Sequence, residues 1–220
     1  MKLLLTSNGL SNQSIAKALI DLVGKPASET AVAFIPTAMN VSSSDKGWFI
    51  DDLSNIQKHE FKMVDIVDIS ALPKKIWQPR LETADVLFFS GGNSFHLMRW
   101  INESGLIELL PELLKTRVWA SISAGSMVTN PTLALSGKDK KIYYEETFGY
   151  NSDEGLGLVN FYTRPHFNSP EFPHARKEYL EELAKEFSET IYALDDNSAL
   201  KVVDGKVEVI SEGEYLLLNK

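Results

Sequence analysis

The sequence predicts an α/β fold in which a mostly parallel sheet is covered by helices on both faces. Through the first two thirds of the chain, short apolar runs of strand length alternate with stretches that have helical periodicity. The runs are apolar at nearly every position, which is typical of strands buried on both faces in a three-layer α/β/α arrangement. A series of short strands near the C-terminus predicts an additional small β meander.

The first five strands and the helices between them follow in order. We predict strands at Lys2–Ser7, Ala31–Pro36, Met63–Ile69, Ala84–Ser90 and Val118–Ser121. We predict helices at Asn12–Val23, Lys46–His59, Ser94–Asn102 and Leu106–Lys115. In the first helix, Ile15, Leu19 and Val23 recur on one face, the spacing that packs a helix against a sheet.

The last third of the chain has a different pattern. A strand is predicted at Gly157–Thr163 and a helix at His174–Phe187. The meander follows, with strands at Thr190–Leu194, Ala199–Val203, Lys206–Ile210 and Glu214–Leu218. Its hairpin turn is Asp204-Gly205. Because no repeat, low-complexity tract or linker interrupts the pattern, we expect residues 1–220 to form one domain.

Composition excludes several classes of protein. The 220 residues carry a net charge of −8, which disfavours nucleic acid and anionic membrane surfaces as partners. The chain has no cysteine, so disulfides, thiolate metal sites and a cysteine nucleophile are excluded. The apolar run in Met1–Thr6 is too short for a signal peptide, and no window is long enough to cross a bilayer. We expect a cytoplasmic protein, and the sequence leaves open whether it forms a homodimer.

The segment Ser121–Gly125 has the pattern S-x-S-x-G, one residue short of the G-x-S-x-G nucleophile elbow. In such an elbow a serine lies on a tight turn between a strand and a helix, and small neighbours let the backbone turn sharply. The first amides of the following helix can stabilise a developing oxyanion. This pattern predicts that Ser123 is the nucleophile of a hydrolase.

A glycine-rich loop, Ser90–Ser94, follows the strongly apolar fourth strand. Paired glycines let the backbone approach a ligand closely, and their amides can point at an anion. An acyl-transfer site needs a second oxyanion donor, which this loop can supply. The alternative is an ordinary turn followed by a serine helix cap. A phosphate site is less favoured, because the P-loop spacing and its lysine are absent.

A serine nucleophile needs a general base, and the chain has four histidines. His166 comes directly after a predicted strand, at the sheet edge where ligands bind and where the elbow opens. We therefore expect His166 to be the base. For His59, His96 and His174 we expect structural or surface roles.

Three segments in this order resemble the aspartyl dipeptidases, the dipeptidase E group of peptidase family S51, with the cyanophycinases as more distant relatives. They are Phe88–Phe95, Ser121–Ser126 and Pro165–Asn168. Weaker similarity extends over nearly the whole chain. The resemblance implies a flavodoxin-like fold similar to class I glutamine amidotransferases, with serine in place of their cysteine nucleophile.

The resemblance also implies roles for single residues. Ser123 matches the family nucleophile and His166 its base, and the amides of Gly92 and Ala124 match the oxyanion hole. The triad acid of the family is expected between the serine and the histidine, and Asp139 is the closest match.

Glu145 and Glu146 lie in the same interval and are alternatives to Asp139 as the acid. The stretch from Asp139 to His166 is longer than in the aspartyl dipeptidases, so this chain departs from the family pattern there.

For substrate binding, the resemblance implies Asn93, Ser94 and Arg176, since a guanidinium suits the carboxylate of an Asp-Xaa dipeptide. We therefore expect a serine exopeptidase acting on short peptides through an acyl-enzyme. The alternatives are a broad acyl hydrolase, a cyanophycinase-like enzyme, and a catalytically silent binding protein on the same scaffold.

We expect no cofactor and no metal site. The acidic pairs Asp51-Asp52 and Asp195-Asp196 lack clustered histidine partners. We interpret both pairs as solvated charges in loops or at helix ends.

Overall fold

A computed structural model describes residues 1–220 and contains a main sheet of seven strands. In spatial order its strands are β3 (Met63–Ile66), β2 (Ala31–Ile35), β4 (Val86–Phe89), β5 (Val118–Ile122), β1 (Lys2–Thr6), β8 (Ser198–Val203) and β9 (Lys206–Ser211). The first five of these strands are parallel to one another. The hairpin of β8 and β9 continues the sheet antiparallel to β1. The predicted α/β fold with a mostly parallel sheet is therefore confirmed.

Eight α-helices accompany the strands. They are α1 (Gln13–Val23), α2 (Gly47–Gln57), α3 (Lys74–Thr83), α4 (Ser94–Glu103), α5 (Leu110–Leu113), α6 (Ala124–Met127), α7 (Lys138–Phe148) and α8 (Lys177–Leu183). No helix combines the length and the apolar character that crossing a bilayer requires.

Alternating residues of the parallel strands face two separate hydrophobic cores. On β1, Leu4 belongs to a core formed with Ile15 of α1 and Ile56 of α2. Leu3 of the same strand belongs to the opposite core, which includes Trp77 of α3 and helix α4. This alternation buries both faces of the sheet at its central strands and explains why those strands are apolar at nearly every position.

A small sheet of three strands lies outside the main sheet. Its order is β10 (Tyr215–Leu218), β7 (Ile191–Leu194) and β6 (Tyr162–Arg164), with β6 parallel to β7. The four predicted C-terminal strands therefore exist, but they do not form one meander. Two of them extend the main sheet, and the other two, β7 and β10, pair with each other in the small sheet, where β7 also pairs with β6.

Some predicted boundaries were wrong. The strand predicted at Gly157–Thr163 is confined to Tyr162–Arg164, and the helix predicted at Leu106–Lys115 to the single turn Leu110–Leu113. No element was predicted around Asp139, and residues Lys138–Phe148 form α7 there. This helix has little apolar periodicity, since Tyr144 is its only buried residue.

Candidate active site

Ser123 lies in the tight turn between β5 and α6, at the carboxyl edge of the parallel strands. Its backbone has φ 45° and ψ −100°, a conformation that residues other than glycine rarely adopt. Such strain is typical of residues held in place for function. The turn lifts the serine side chain away from the sheet, as the elbow motif predicts.

The glycine of the motif is required by packing. A Cβ on Gly125 would lie 2.6 Å from the carbonyl oxygen of Phe89 at the end of β4. The two neighbouring serines, Ser121 and Ser126, are buried, and their hydroxyl oxygens lie 2.9 Å apart. The hydroxyl of Ser126 donates to the carbonyl of Thr6. These contacts fix the turn and leave Ser123 as the serine that faces the cavity.

His166 follows β6 of the small sheet, and its side chain faces Ser123. Its Nε2 atom lies 2.9 Å from Oγ of Ser123. The imidazole is nearly parallel to the ring of Phe172, with the ring centroids 4.0 Å apart. His166 also has a positive φ of 63°, so the backbone at the base is strained like that at the serine.

Asp196 is the carboxylate that contacts the imidazole. Its Oδ1 atom lies 2.8 Å from Nδ1 of His166. The same oxygen accepts a hydrogen bond of 2.7 Å from the hydroxyl of Ser7. A carboxylate on Nδ1 holds the proton there and leaves Nε2 free to accept the hydroxyl proton of Ser123.

The pKa of Asp196 lies below its ordinary value. Burial raises this pKa, but the hydrogen bond from His166, the nearby imidazole charge and the hydrogen bond from Ser7 together outweigh burial. Asp196 is therefore ionised at neutral pH, as the partner of an imidazolium must be.

The neighbouring Asp195 holds the loop that presents Asp196. Its carboxylate accepts hydrogen bonds from the backbone amides of Asn197 and Glu214 and from the hydroxyl of Ser198. The interpretation of Asp195-Asp196 as solvated charges was wrong, because each carboxylate is fixed by specific donors. Sequence reasoning missed Asp196, although it follows β7 just as His166 follows the adjacent parallel strand β6.

Asp139, the expected partner of His166, makes no hydrogen bond to the imidazole. It lies in the first turn of α7 and lines the same cavity as Ser123. Glu145 and Glu146 lie further along α7, are exposed, and are not part of the cavity wall. The helix holds these carboxylates on its own surface, and Nδ1 of His166 is occupied by Asp196.

The amides expected to form an oxyanion hole belong to the residue after the serine and to the glycine loop, and both Gly92 and Ser123 line the cavity. Ala124 is the first residue of α6, and Gly92 lies in the loop after β4; neither amide donates to a protein acceptor. A Cβ on Gly91 would lie 3.6 Å from Cβ of Ser123. At Gly92 φ is 135° and a Cβ would lie 2.1 Å from the carbonyl oxygen of Ala38, so only glycine fits there.

The three residues implied for substrate binding are not gathered in one place. Asn93 lines the cavity, but its Oδ1 caps α4 by accepting from the amides of Phe95 and His96. Ser94 is the buried first residue of α4 and does not line the cavity. Arg176 is exposed at the start of α8, also outside the cavity wall.

Ser123 and His166 open into a cavity of about 880 Å³. Six carboxyl groups and two lysines line it. The lysines are Lys46, which donates to Ser42 and Ser44, and Lys140, whose Nζ lies 3.0 Å from the carbonyl oxygen of Gly92. The wall is therefore rich in negative charge.

Several known proteins are similar to this chain in sequence or in fold. An uncharacterized peptidase of Listeria monocytogenes is 26% identical over 82% of this chain and 85% of its own length. Peptidase E of Streptomyces coelicolor is 32% identical over 64% of this chain and 58% of its own length. A crystal structure of a candidate peptidase E protein from Listeria monocytogenes superimposes with a TM-score of 0.77 at 22% identity, covering 96% of this chain and 98% of the other.

A family-wide comparison covers nearly the whole chain. The model of peptidase family S51 matches residues 3–210, which include the elbow, the glycine loop, His166 and Asp196. The chain therefore belongs to peptidase family S51 and is a serine-type peptidase.

Proposed function

We propose that Ser123, His166 and Asp196 form the catalytic triad of a serine exopeptidase that hydrolyses short peptides. The observation that carries this proposal is the unbroken hydrogen-bonded chain from Oγ of Ser123 through the imidazole to Oδ1 of Asp196. In this arrangement each group has the position that its role in acyl transfer requires.

The reaction begins when Oγ of Ser123 attacks the scissile carbonyl and its proton passes to Nε2 of His166. Asp196 stays ionised and stabilises the imidazolium that forms. The amides of Gly92 and Ala124 would donate to the negatively charged oxygen of the tetrahedral intermediate. His166 then gives its proton to the leaving amine as the C–N bond breaks. Water, deprotonated by His166, attacks the acyl-enzyme and releases the carboxylic acid and the serine.

The cavity supports a short peptide as substrate, since its volume is in the range of small-ligand sites. Asp-Xaa dipeptides, which the family resemblance implies, have less support from the cavity wall. Arg176 lies outside it. An aspartyl side chain would also enter a cavity in which carboxylates outnumber lysines.

Two measurements test the proposal. A fluorophosphonate probe should label the wild-type protein and should not label Ser123→Ala, because only an activated serine reacts readily. A dipeptide library should be hydrolysed by the wild-type protein alone. Unchanged hydrolysis by a folded Ser123→Ala variant would sink the proposal, and absence of labelling in the wild-type protein would favour a silent binding protein.

A further inference from the structure

Asp52 on α2 is a buried carboxyl group in the wall of the active-site cavity. The residue is 5% exposed, and its Oδ2 atom is buried without a hydrogen-bond partner. A Cβ on Gly9 would lie 3.8 Å from Oδ1 of Asp52 and 3.0 Å from Cδ1 of Ile122. Ile122 directly precedes Ser123, and Asp52 and Ser123 line the same cavity.

An unpartnered buried carboxyl is costly, because its ionised form loses hydration without gaining a donor. Burial, with a smaller effect from the charge of Asp51, raises the pKa of Asp52 to about 7. The lysines of the cavity do not compensate it. Lys46 and Lys140 each donate elsewhere, and neither pairs with a carboxylate.

We propose that Asp52 binds a cationic group of the substrate, either its free amino terminus or a basic side chain. This inference rests on the proposed function of the cavity. An ammonium or guanidinium entering there would give the buried carboxylate its missing donor, and the other carboxylates of the wall would favour the same charge. The cavity would then select cationic peptides over Asp-Xaa dipeptides.

Two pairs of substrates distinguish the two sources of positive charge. Lys-Leu and norleucine-Leu differ in the side-chain ammonium alone. The p-nitrophenyl esters of norleucine and of N-acetyl-norleucine differ in the free amino terminus. Each pair gives a ratio of kcat/KM for the substrate with the additional positive charge over the substrate without it, and comparing this ratio between variant and wild-type protein cancels differences in intrinsic reactivity.

We expect Asp52→Asn to lower one of these ratios by about tenfold or more, the size expected for a lost charge-assisted hydrogen bond. A fall in the dipeptide ratio identifies a basic side chain, and a fall in the ester ratio identifies the amino terminus. The matched control is Asp51→Asn, which removes the same charge from an exposed, solvent-screened carboxylate of the same cavity wall and should lower the ratios far less.

The inference is overturned if both ratios survive in Asp52→Asn, or if Asp51→Asn lowers them equally. If Asp52→Asn does not fold, the wild-type ratios decide, because two ratios near one leave no cation selectivity to explain. A wild-type protein that is labelled by the fluorophosphonate probe but has flat ratios contradicts this inference alone. One that hydrolyses neither ester and resists labelling contradicts the proposed function as well.

Discussion

The hydroxyl of Ser7 lies 2.7 Å from Oδ1 of Asp196, the same carboxylate oxygen that faces Nδ1 of His166. Oγ of Ser7 also accepts a hydrogen bond of 2.8 Å from the backbone amide of His166. One fully buried hydroxyl at the end of β1 therefore contacts both the proposed base and the proposed acid. We expect Ser7 to be a positioning residue for the triad.

Ser7→Ala should lower kcat by about tenfold with a smaller change in KM, because Asp196 loses a donor that fixes its rotamer. Loss of this donor should also raise the pKa of Asp196 and move the acidic limb of the pH–rate profile upward. Steady-state kinetics across pH measure both effects. Ser11→Ala is the control, since Ser11 donates only to the main-chain oxygen of Asp196. An unchanged acidic limb would contradict the assignment.

Asp196→Asn should lower kcat by roughly 10³–10⁴, because an amide favours the wrong imidazole tautomer and cannot stabilise the imidazolium. Asp139→Asn removes a carboxylate from the same cavity without touching His166 and should cost far less. Single-turnover kinetics on an activated ester compare the two variants. If Asp139→Asn were the more damaging change, Asp139 would be the acid.

Asp52→Asn should stabilise the protein against unfolding above neutral pH. The pKa of Asp52 is raised from 3.8 to about 7 by burial, with a contribution from Asp51. The folded state therefore holds a proton that the unfolded state releases, and stability falls as pH rises between these values. Removing this ionisation should raise the free energy of unfolding by up to about 4 kcal/mol at pH 8.

Near pH 3.5 the carboxyl is protonated in the folded state and mostly protonated in the unfolded state, so the gain from Asp52→Asn should nearly vanish. Thermal unfolding at pH 3.5, 6 and 8 checks the sign and the window. A variant less stable than the wild-type protein at pH 8 would show that Asp52 has a partner in the folded state.

Asn130→Ala should cost about 3 kcal/mol of stability and should also reduce activity. The buried amide of Asn130 donates to the carbonyl of Thr163 and accepts from its backbone amide, at 3.2 and 2.9 Å. Truncation removes the side-chain partners of the amide and the carbonyl of Thr163, a residue of β6 that lies three positions before His166. Urea unfolding and kcat measure the two effects, with the exposed Asn151→Ala as control. Equal stability of the two variants would contradict the prediction.

The features predictable from the sequence are local ones. Small residues at fixed spacing predict the turn around Ser123, and the composition of the apolar strands predicts a parallel sheet. His166 could be selected because it follows a strand, at the edge where ligands bind. The glycine loop was identifiable from its paired glycines after an apolar strand, and the structure explains the second of them, because no side chain fits at Gly92.

The acid depends on strand pairing that the local pattern does not encode. Asp196 reaches His166 because β6 and β7 are parallel neighbours in a separate sheet. Treating β7 as part of a C-terminal meander hid that relation, and the family resemblance pointed to Asp139, which precedes the histidine in the chain. The interpretation of Asp52 as a solvated charge was wrong, because this residue is buried within α2, and its burial depends on how the helix packs in the fold.

The two sheets share the proposed triad unequally. Ser123 is carried by the main sheet, whereas His166 and Asp196 follow adjacent strands of the small one. Met127 of α6 packs with Tyr162 and Ile191 in a cluster that bridges these two parts. A rigid shift of the small sheet would stretch the gap between nucleophile and imidazole while preserving the ion pair behind it. Substitutions in this cluster can therefore change turnover even though its residues do not contact the peptide.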